Sequence, residues 1–297
     1  MSLAPLQAGA PAVDSFAVAS GALEGADLDA ARTFLRDLES AGISMLWMGE
    51  VMGREAFTAA QAALGATDRM VVGTGVARAL ERVPKSAAAA SGLLCQSFPG
   101  RYVLGFGVSG ASRERGVGPL PFMREYLSDL DGHYERVGLA PRPVRVLGAY
   151  SEGLIRLARE RAEGLLTFMV TPEHTRWARS VLGDGPFLGV SHRVVFDTDP
   201  VSARSLARDR VAYYLKLPHQ QAKLLRLGFG EEDFADGGSD RLIDAMFAWG
   251  STEDVAAQLA GHLAAGADQV VVSHAQPASP GVVAALGELR AALTHQR

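Results

Sequence analysis

Short apolar segments that alternate with amphipathic helical segments along the chain constrain its fold most strongly. Eight of these segments are predicted as strands, at residues 16–20, 45–49, 70–76, 102–109, 144–148, 165–170, 187–196 and 269–273. Residues 102–109 are almost continuously apolar, which is typical of a strand with both faces buried. Repeated strand–helix units with right-handed crossovers predict an α/β fold, a (β/α)8 or TIM barrel, and an open doubly wound sheet is the alternative.

The length of the chain is compatible with one large core. It has 297 residues, of which 48% are hydrophobic, and barrels of this size commonly form a single domain. We therefore predict one domain over residues 1–297. Within it, residues 1–12 are small and lack periodicity, so they are expected to form a mobile tail.

Charge and hydropathy restrict the partners that this chain is expected to have. A net charge of −4 without a dominant basic cluster argues against binding to nucleic acid, which needs a positive surface. The sequence contains no long uncharged apolar stretch and no basic region at its start, so neither a membrane span nor a signal peptide is predicted. We expect a cytoplasmic protein that acts on small molecules.

Cysteine, histidine and carboxylate spacing predicts no metal site. The single cysteine, Cys95, excludes an internal disulfide and is expected on the buried face of a helix over residues 86–98. No group of histidines and carboxylates has ligand spacing, and no Gly-x-Ser-x-Gly motif occurs. Metal-dependent hydrolysis and acyl transfer are therefore disfavoured.

An insertion separates the seventh and eighth predicted strands, over about residues 200–268. It is predicted to contain a long helix at 201–227, a polar segment at 228–240 and a second helix at 252–265. The first helix carries Arg204, Arg208, Arg210, Lys216, Lys223 and Arg226, and acidic residues follow at Glu231, Glu232, Asp233, Asp236, Asp240 and Asp244. Two interpretations remain open: solvated helix faces, or a cationic lid that binds an anionic ligand.

Glycines cluster at the carboxyl ends of the third and fourth predicted strands, where barrels carry their active sites. They are Gly73, Gly75, Gly105 and Gly107. A glycine allows closer approach of a flat ligand to the backbone than any side chain would, which favours a planar ligand. Tight packing at the barrel rim is the alternative.

The fifth predicted strand is followed by a helix that begins at Ser151. Ser151 is a suitable N-cap residue, and the N–H groups of Glu152 and Gly153 favour a phosphate through hydrogen bonds and the helix dipole. The charge of Glu152 opposes this interpretation if its side chain points inward. Ordinary helix capping is therefore the second interpretation.

Four of these segments together resemble the bacterial luciferase-like monooxygenase superfamily, and within it most closely the oxidoreductases that use the deazaflavin coenzyme F420. The segments are residues 73–76 (GTGV), 101–109 (RYVLGFGVS), 121–127 (PFMREYL) and 148–151 (GAYS), and the similarity covers about residues 16–293. The resemblance implies a (β/α)8 barrel with an insertion after strand seven. It also implies a flavin or deazaflavin ring at the carboxyl face, and a homodimer.

The resemblance further implies a cofactor site and a cis peptide bond between Gly75 and Val76. The implied cofactor-binding residues are Gly75, Val76, Gly107, Val108, Ser109, Ala149, Ser151, Glu152, Gly153, Thr167, Phe168 and Met169. Those at 151–153 are expected near the phosphate and the others beside the ring or ribityl chain. The chain departs from relatives at Gly110, where they commonly carry histidine, and at Val83, where they commonly carry aspartate.

Hydride transfer from a deazaflavin needs an acid or base for the accompanying proton. Glu50 is the first candidate, since a carboxylate in an apolar mouth would have a raised pKa, and an exposed loop carboxylate is the alternative. His192 is the second candidate and His274 the third, and a structural role is the alternative for each.

Three functions remain open at this point. The first, which we favour, is an F420-dependent oxidoreductase that transfers a hydride between the deazaflavin and an unknown small organic substrate. The second is an FMN-dependent monooxygenase of the same superfamily. The third is a barrel that has lost its cofactor and binds a ligand or partner without catalysis.

Overall fold

A computed structural model describes residues 14–20, 27–50, 54–108 and 116–295 of the chain. The predicted tail at residues 1–12 lies outside the described residues, as do Ser109 and Gly110. The strands are β1 (Phe16–Ala19), β2 (Met45–Met48), β3 (Val71–Thr74), β4 (Ala77–Arg78), β5 (Tyr102–Gly107), β6 (Val144–Gly148), β7 (Gly164–Phe168), β8 (Phe187–Val195), β9 (Phe247–Trp249) and β10 (Gln269–His274).

Eight of these strands form a closed parallel barrel, which confirms the predicted fold. They pair in the order β10, β1, β2, β3, β5, β6, β7 and β8, and β8 pairs with β10 to close the ring. The alternative of an open sheet is therefore wrong. The two remaining strands lie on the rim, where β4 pairs with β5 and β9 pairs with β8.

Helices surround the barrel and supply its outer layer. They are α1 (Leu28–Ser40), α2 (Ala56–Ala66), α3 (Pro84–Ser97), α4 (Pro119–Val137), α5 (Glu152–Arg161), α6 (Pro172–Leu182), α7 (Pro200–Leu215), α8 (Pro218–Arg226), α9 (Asp240–Met246), α10 (Thr252–Ala264) and α11 (Pro280–His295). Thr171 and Asp199 cap α6 and α7, and a proline follows each cap at the first helical position. Within the described ranges, no helix combines the length and the apolar character needed to cross a bilayer.

One face of each barrel strand fills the interior, and the alternate face packs on the helices. The interior side chains are Ala17, Met45, Trp47, Val71, Val103, Val146, Leu166, Phe187 and Val271. The Trp47 ring stacks on Phe187 with centroids 6.5 Å apart, and its Nε1 donates to Gln269 Oε1 at 3.0 Å. The barrel is thus a packed core, so ligands must bind at its carboxyl mouth.

The insertion between β8 and β10 differs from its prediction in two ways. The long helix expected at 201–227 is two helices, because Pro218 lacks an N–H and begins α8 at its first position. The short elements α9 and β9 were not predicted. The second expected helix, at 252–265, is confirmed as α10.

Three arginines of the insertion are neutralised by nearby aspartates. Arg204 pairs with Asp244 at 2.7 Å, and Arg208 pairs with Asp240. On the next segment, Arg241 pairs with Asp233. These pairs agree with the interpretation of solvated faces for this part of the insertion, although they do not include the two cations of α8.

Cys95 lies on the buried face of α3, as predicted. Burial raises the pKa of its thiol. The thiol therefore stays protonated at neutral pH and acts as a small packing group rather than as a nucleophile.

Candidate functional site

A cavity of about 520 Å³ opens at the carboxyl ends of β6 and β7, and α8 forms one of its walls. Its walls come from three elements that follow strands or belong to the insertion. The lining residues that bear on function are Ser151, Glu152, Thr171, His174, Lys223 and Arg226. The position matches the face where barrels place their binding residues.

The first wall is the amino end of α5, which begins after Ser151. The Ser151 side chain makes no capping hydrogen bond, so its hydroxyl and the first N–H groups of α5 remain available to a ligand. Glu152 does not oppose an anion here, because its carboxylate pairs with Arg156 Nη2 at 2.6 Å along the helix. Gly153 is required for packing, since a Cβ there would lie 2.9 Å from Leu120 Cδ2.

The second wall carries the buried ammonium of Lys223. Only 2% of this residue is exposed, and its Nζ donates to the carbonyl oxygen of Phe168 at 3.0 Å. The Nζ also lies 5.5 Å from the centre of the Phe168 ring and 6.0 Å from that of Tyr150. Burial, and then the positive charge of Arg193, lower the pKa of Lys223 to about 7.

Arg193 is a second cation beside the same aromatic ring. Its guanidinium lies 5.6 Å from the centre of Phe168 and 4.9 Å from that of Tyr214. Its Nη1 donates to the carbonyl oxygen of Arg210 at 3.1 Å, and its Nε has no hydrogen-bond partner in the described structure. Burial lowers the pKa of Arg193 as well.

The third wall, at the start of α6, holds a histidine that sequence reasoning missed. His174 Nε2 lies 3.1 Å from the carbonyl oxygen of Tyr150, and its ring contacts Trp177 at a centroid distance of 5.1 Å. Burial lowers its pKa, so the ring is neutral at pH 7. The sequence could have indicated His174 as a candidate, because it lies three residues after the Thr171 cap and shortly after the sixth predicted strand.

The glycines at the rim make room for neighbouring atoms of the protein itself. A Cβ on Gly73 would lie 2.5 Å from Trp47 Cε3, and one on Gly105 would collide with the carbonyl oxygen of Thr74. Val76 fills the space above Gly107 and Gly148. Tight packing, the alternative in the sequence interpretation, therefore explains these glycines.

The peptide bond between Gly75 and Val76 is cis, which confirms the expectation drawn from the resemblance. Of the other implied cofactor residues, Ala149 packs beneath the cavity with the outer core. Val108 is half-buried at the end of β5, next to the rim. These positions border one mouth, although among the described residues of the implied set only Ser151 and Glu152 line the cavity itself.

The three implied cofactor residues at the end of the sixth barrel strand, residues 167–169, have different surroundings in the structure. Phe168 lies between Lys223 and Arg193. Thr167 faces away from the barrel interior, since its neighbour Leu166 faces inward, and its hydroxyl lies 3.4 Å from the carbonyl oxygen of Gly189. Met169 has a positive φ of 50° and packs in the core of the insertion.

Glu50 differs from the raised-pKa carboxylate that we expected. Burial raises its pKa, but hydrogen bonds from the Arg82 guanidinium and from the backbone N–H groups of Arg78 and Ala56 outweigh that effect, so the pKa is lowered. The carboxylate is ionised, and both of its oxygens accept hydrogen bonds from the protein. In this structure Glu50 is thus the ion-pair partner of Arg82, and its lowered pKa differs from the raised value expected of a general acid.

His192 and His274 both face outward from their strands, toward the surrounding helices. His192 alternates with the inward-facing residues of β8 and packs against His262 of α10, with ring centroids 5.1 Å apart. His274 packs against Phe34 of α1 at 5.9 Å. Both imidazoles occupy the layer between strands and helices, so the structural interpretation holds for both.

Comparisons with known proteins agree with this geometry. The family described as luciferase-like monooxygenase matches residues 12–269. No match was found among the curated proteins.

Among solved structures, two similar ones are F420 proteins. An F420-dependent secondary alcohol dehydrogenase in complex with an F420-acetone adduct has a TM-score of 0.75 at 14% identity, covering 95% of this chain and 99% of that chain. A coenzyme F420 dependent tetrahydromethanopterin reductase from Methanopyrus kandleri has a TM-score of 0.74 at 16% identity, covering 96% and 100%.

A third similar structure contains FMN. It is the oxygenating constituent of 3,6-diketocamphane monooxygenase from Pseudomonas putida, with a TM-score of 0.68 at 16% identity, and the match covers 93% of this chain and 96% of that chain. At these identities the three likenesses establish a shared fold.

Proposed function

The chain belongs to the luciferase-like monooxygenase family, and on that basis we propose that it is an F420-dependent oxidoreductase acting on a small organic substrate. Such enzymes couple the oxidation of one molecule to the reduction of the cofactor. The similarity to two F420 proteins over almost the whole chain supports the choice of cofactor.

The observation that carries this proposal is the amino end of α5 at the cavity. It offers the Ser151 hydroxyl and unpaired N–H groups, and the Glu152 carboxylate is paired with Arg156. Hydrogen bonds and the helix dipole favour a phosphate at such a place. Both F420 and FMN carry a phosphate in the chain attached to the ring.

A bound deazaflavin supplies a carbon that gives or receives a hydride. The residues of this chain have other tasks. Ser151 and the α5 backbone would hold the phosphate, and α8 forms the opposite part of the cavity lining through Lys223 and Arg226. His174, which is neutral at pH 7 and has a buried Nδ1 without a partner in the described structure, is the proposed group for proton exchange with the substrate.

An FMN-dependent monooxygenase is the second candidate, and the similarity to a structure in complex with FMN favours it. The phosphate site at α5 would serve either cofactor. The two differ in the ring and in the tail beyond the phosphate, so binding measurements separate them.

The test is to titrate the purified chain with F420 and with FMN, each oxidised and reduced, and to follow binding by fluorescence. We expect F420 to bind more tightly than FMN. Tight FMN binding without F420 binding would reject the proposal in favour of the monooxygenase. Binding of neither would leave the barrel without a cofactor, as in the third function considered for the sequence.

A matched pair of variants tests the phosphate site itself. Ser151→Asp and Ser151→Asn are both good helix caps, so both should fold, but only aspartate adds a negative charge beside the phosphate. We expect Ser151→Asp to bind the cofactor roughly tenfold more weakly than Ser151→Asn, a cost of about 1.4 kcal/mol. Equal affinities would place the phosphate elsewhere.

A further inference from the structure

The cavity has a positive charge that the protein does not neutralise. Lys223, Arg226 and Arg193 have no carboxylate within ion-pair distance among the residues that the structure describes. Arg204 and Arg208 of the insertion differ, since both pair with aspartates. Lys223 and Arg226 line the cavity from α8, and Arg193 lies on β8 beside the Phe168 ring.

Burial makes this arrangement costly without a partner. Lys223 is 2% exposed and uses one of its three N–H donors, on the carbonyl oxygen of Phe168. A second buried cation, Arg193, lies on the same Phe168 ring and repels it. Buried charges are ordinarily paired, so two like charges around one ring point to an anion that is supplied from outside.

The acidic residues of the cavity cannot be that anion. Glu152 is paired with Arg156 on α5. Glu173 is exposed in the first turn of α6, and hydrogen bonds from its own backbone N–H and from Thr171 hold its pKa below the ordinary value. Neither carboxylate contacts Lys223 or Arg226 within ion-pair distance in the described structure.

We propose that Lys223 and Arg226 form an anion subsite for a phosphate or carboxylate group of the substrate, so that this protein acts on organic anions. Lys223 supplies two free donors at the buried end of the cavity, and Arg226, which is exposed, supplies its guanidinium at the open end. The aromatic rings of Tyr150 and Phe168 exclude water from the ammonium. This assignment rests on the proposed function only in calling the bound molecule a substrate.

The subsite lies on a different wall of the same cavity from the proposed phosphate site of the cofactor. That site lies on α5, whereas Lys223 and Arg226 project from α8. The same anion chemistry could also come from the carboxylates in the tail of F420. The experiment therefore includes F420 and its tail-free riboside as separate arms.

The test measures binding of inorganic phosphate to the full chain by calorimetry, against sodium chloride at matched ionic strength. The variants are Lys223→Gln and Arg226→Gln, and Lys216→Gln is the control because Lys216 is an exposed lysine of the same insertion. We expect phosphate to bind about tenfold or more weakly to Lys223→Gln, a few-fold more weakly to Arg226→Gln, and equally well to the control.

Phosphate binding that is equal in Lys223→Gln and the unaltered chain, or no stronger than chloride in the unaltered chain, would overturn the proposal. If Lys223→Gln does not fold, as judged by circular dichroism, Arg226→Gln decides by the same criterion.

The second measurement compares the binding of F420 and of the riboside in the unaltered chain and in Lys223→Gln. If each binds equally well to both proteins, the anion belongs to the substrate. Loss for F420 alone assigns the anion to the phosphate or the tail carboxylates of F420 and overturns the substrate claim. If the proposed function is wrong but the anion subsite is right, the unaltered chain will bind phosphate and will bind neither cofactor.

Discussion

Both terminal nitrogens of the Arg82 guanidinium contact the Glu50 carboxylate, with Nη1 2.9 Å from Oε2. The two side chains are 8% and 12% exposed, so this is a nearly buried ion pair. Arg82 also lies over the ring of Phe57 at 5.0 Å and donates to Glu55 at 3.0 Å. The pair ties the loop after β2 to the start of α3.

We predict that Glu50→Gln destabilises the protein, because it leaves the buried Arg82 without its main partner. The expected loss is about 3 kcal/mol in the free energy of unfolding, at the lower end for a buried pair because Glu55 remains. Glu55→Gln is the control, since Glu55 is much more exposed and should cost less than about 1 kcal/mol. Denaturant unfolding measures both, and equal stabilities of the two variants would show that the pair contributes little.

Mild acid should destabilise the protein through two buried histidines. Burial, and then the charge of His262, lower the pKa of His192 to about 3, and burial lowers that of His262 to about 4. Unfolded histidine titrates near 6.5, so between that pH and about 4 the unfolded chain binds more protons than the folded chain. The free energy of unfolding therefore decreases as the pH is lowered through this range. The slope is at most about 1.4 kcal/mol per pH unit for each histidine.

His192→Leu should make that slope smaller, because His192 Nδ1 has no partner in the described structure and one titrating group is removed. The measurement is the free energy of unfolding at pH 7, 6 and 5 for the variant and the unaltered chain. His274→Leu is a less buried comparison and should change the slope less. A slope that is unchanged in His192→Leu would mean that the ring is already charged in the folded protein.

Replacement by alanine should have opposite effects on stability at Gly73, which packs against Trp47, and at Gly65, which has open space around it. Gly73→Ala would place a Cβ 2.5 Å from the Trp47 ring, so we expect a loss of about 1–3 kcal/mol in stability. Gly65→Ala lies in α2 with nothing within 4 Å of the new Cβ, so alanine should stabilise the helix by about 0.5–1 kcal/mol. Thermal unfolding of both variants checks the signs, and a stable Gly73→Ala would mean that Trp47 moves freely.

Anion binding at Lys223 should depend on pH. The pKa of about 7 in the ligand-free chain means that the ammonium is lost as pH rises above 7, so affinity for sulfate, whose charge is constant, should fall by up to about tenfold per pH unit. The other groups facing this site are Arg193 on β8, Arg226 on α8, His174 and Glu173 on α6, and Glu152 on α5. A flat profile for the unaltered chain would contradict a titrating Lys223.

The periodicity of the sequence was sufficient to predict the barrel, because strands buried on both faces and amphipathic helices leave few ways to close a core. The break at Pro218 was also readable in principle, since proline begins helices more readily than it continues them. Sequence patterns did not reveal α9 and β9, which are too short to show a period.

The roles of side chains were harder to predict than the fold. Whether His192 faces the mouth depends on strand register, and a shift of one residue reverses the face. Glu50 and Arg82 are 32 residues apart, so their pairing follows from the barrel and not from local sequence. The rim glycines likewise depend on Trp47, a side chain of a neighbouring strand.

Because Val76 occupies the space above Gly107 and Gly148, three strand ends share one side chain. We therefore expect substitutions at these three positions of the rim to be coupled in evolution. Relatives that carry a larger residue at either glycine should carry a smaller one in place of the valine, and an alignment of many homologues should reveal correlated replacement among these three positions.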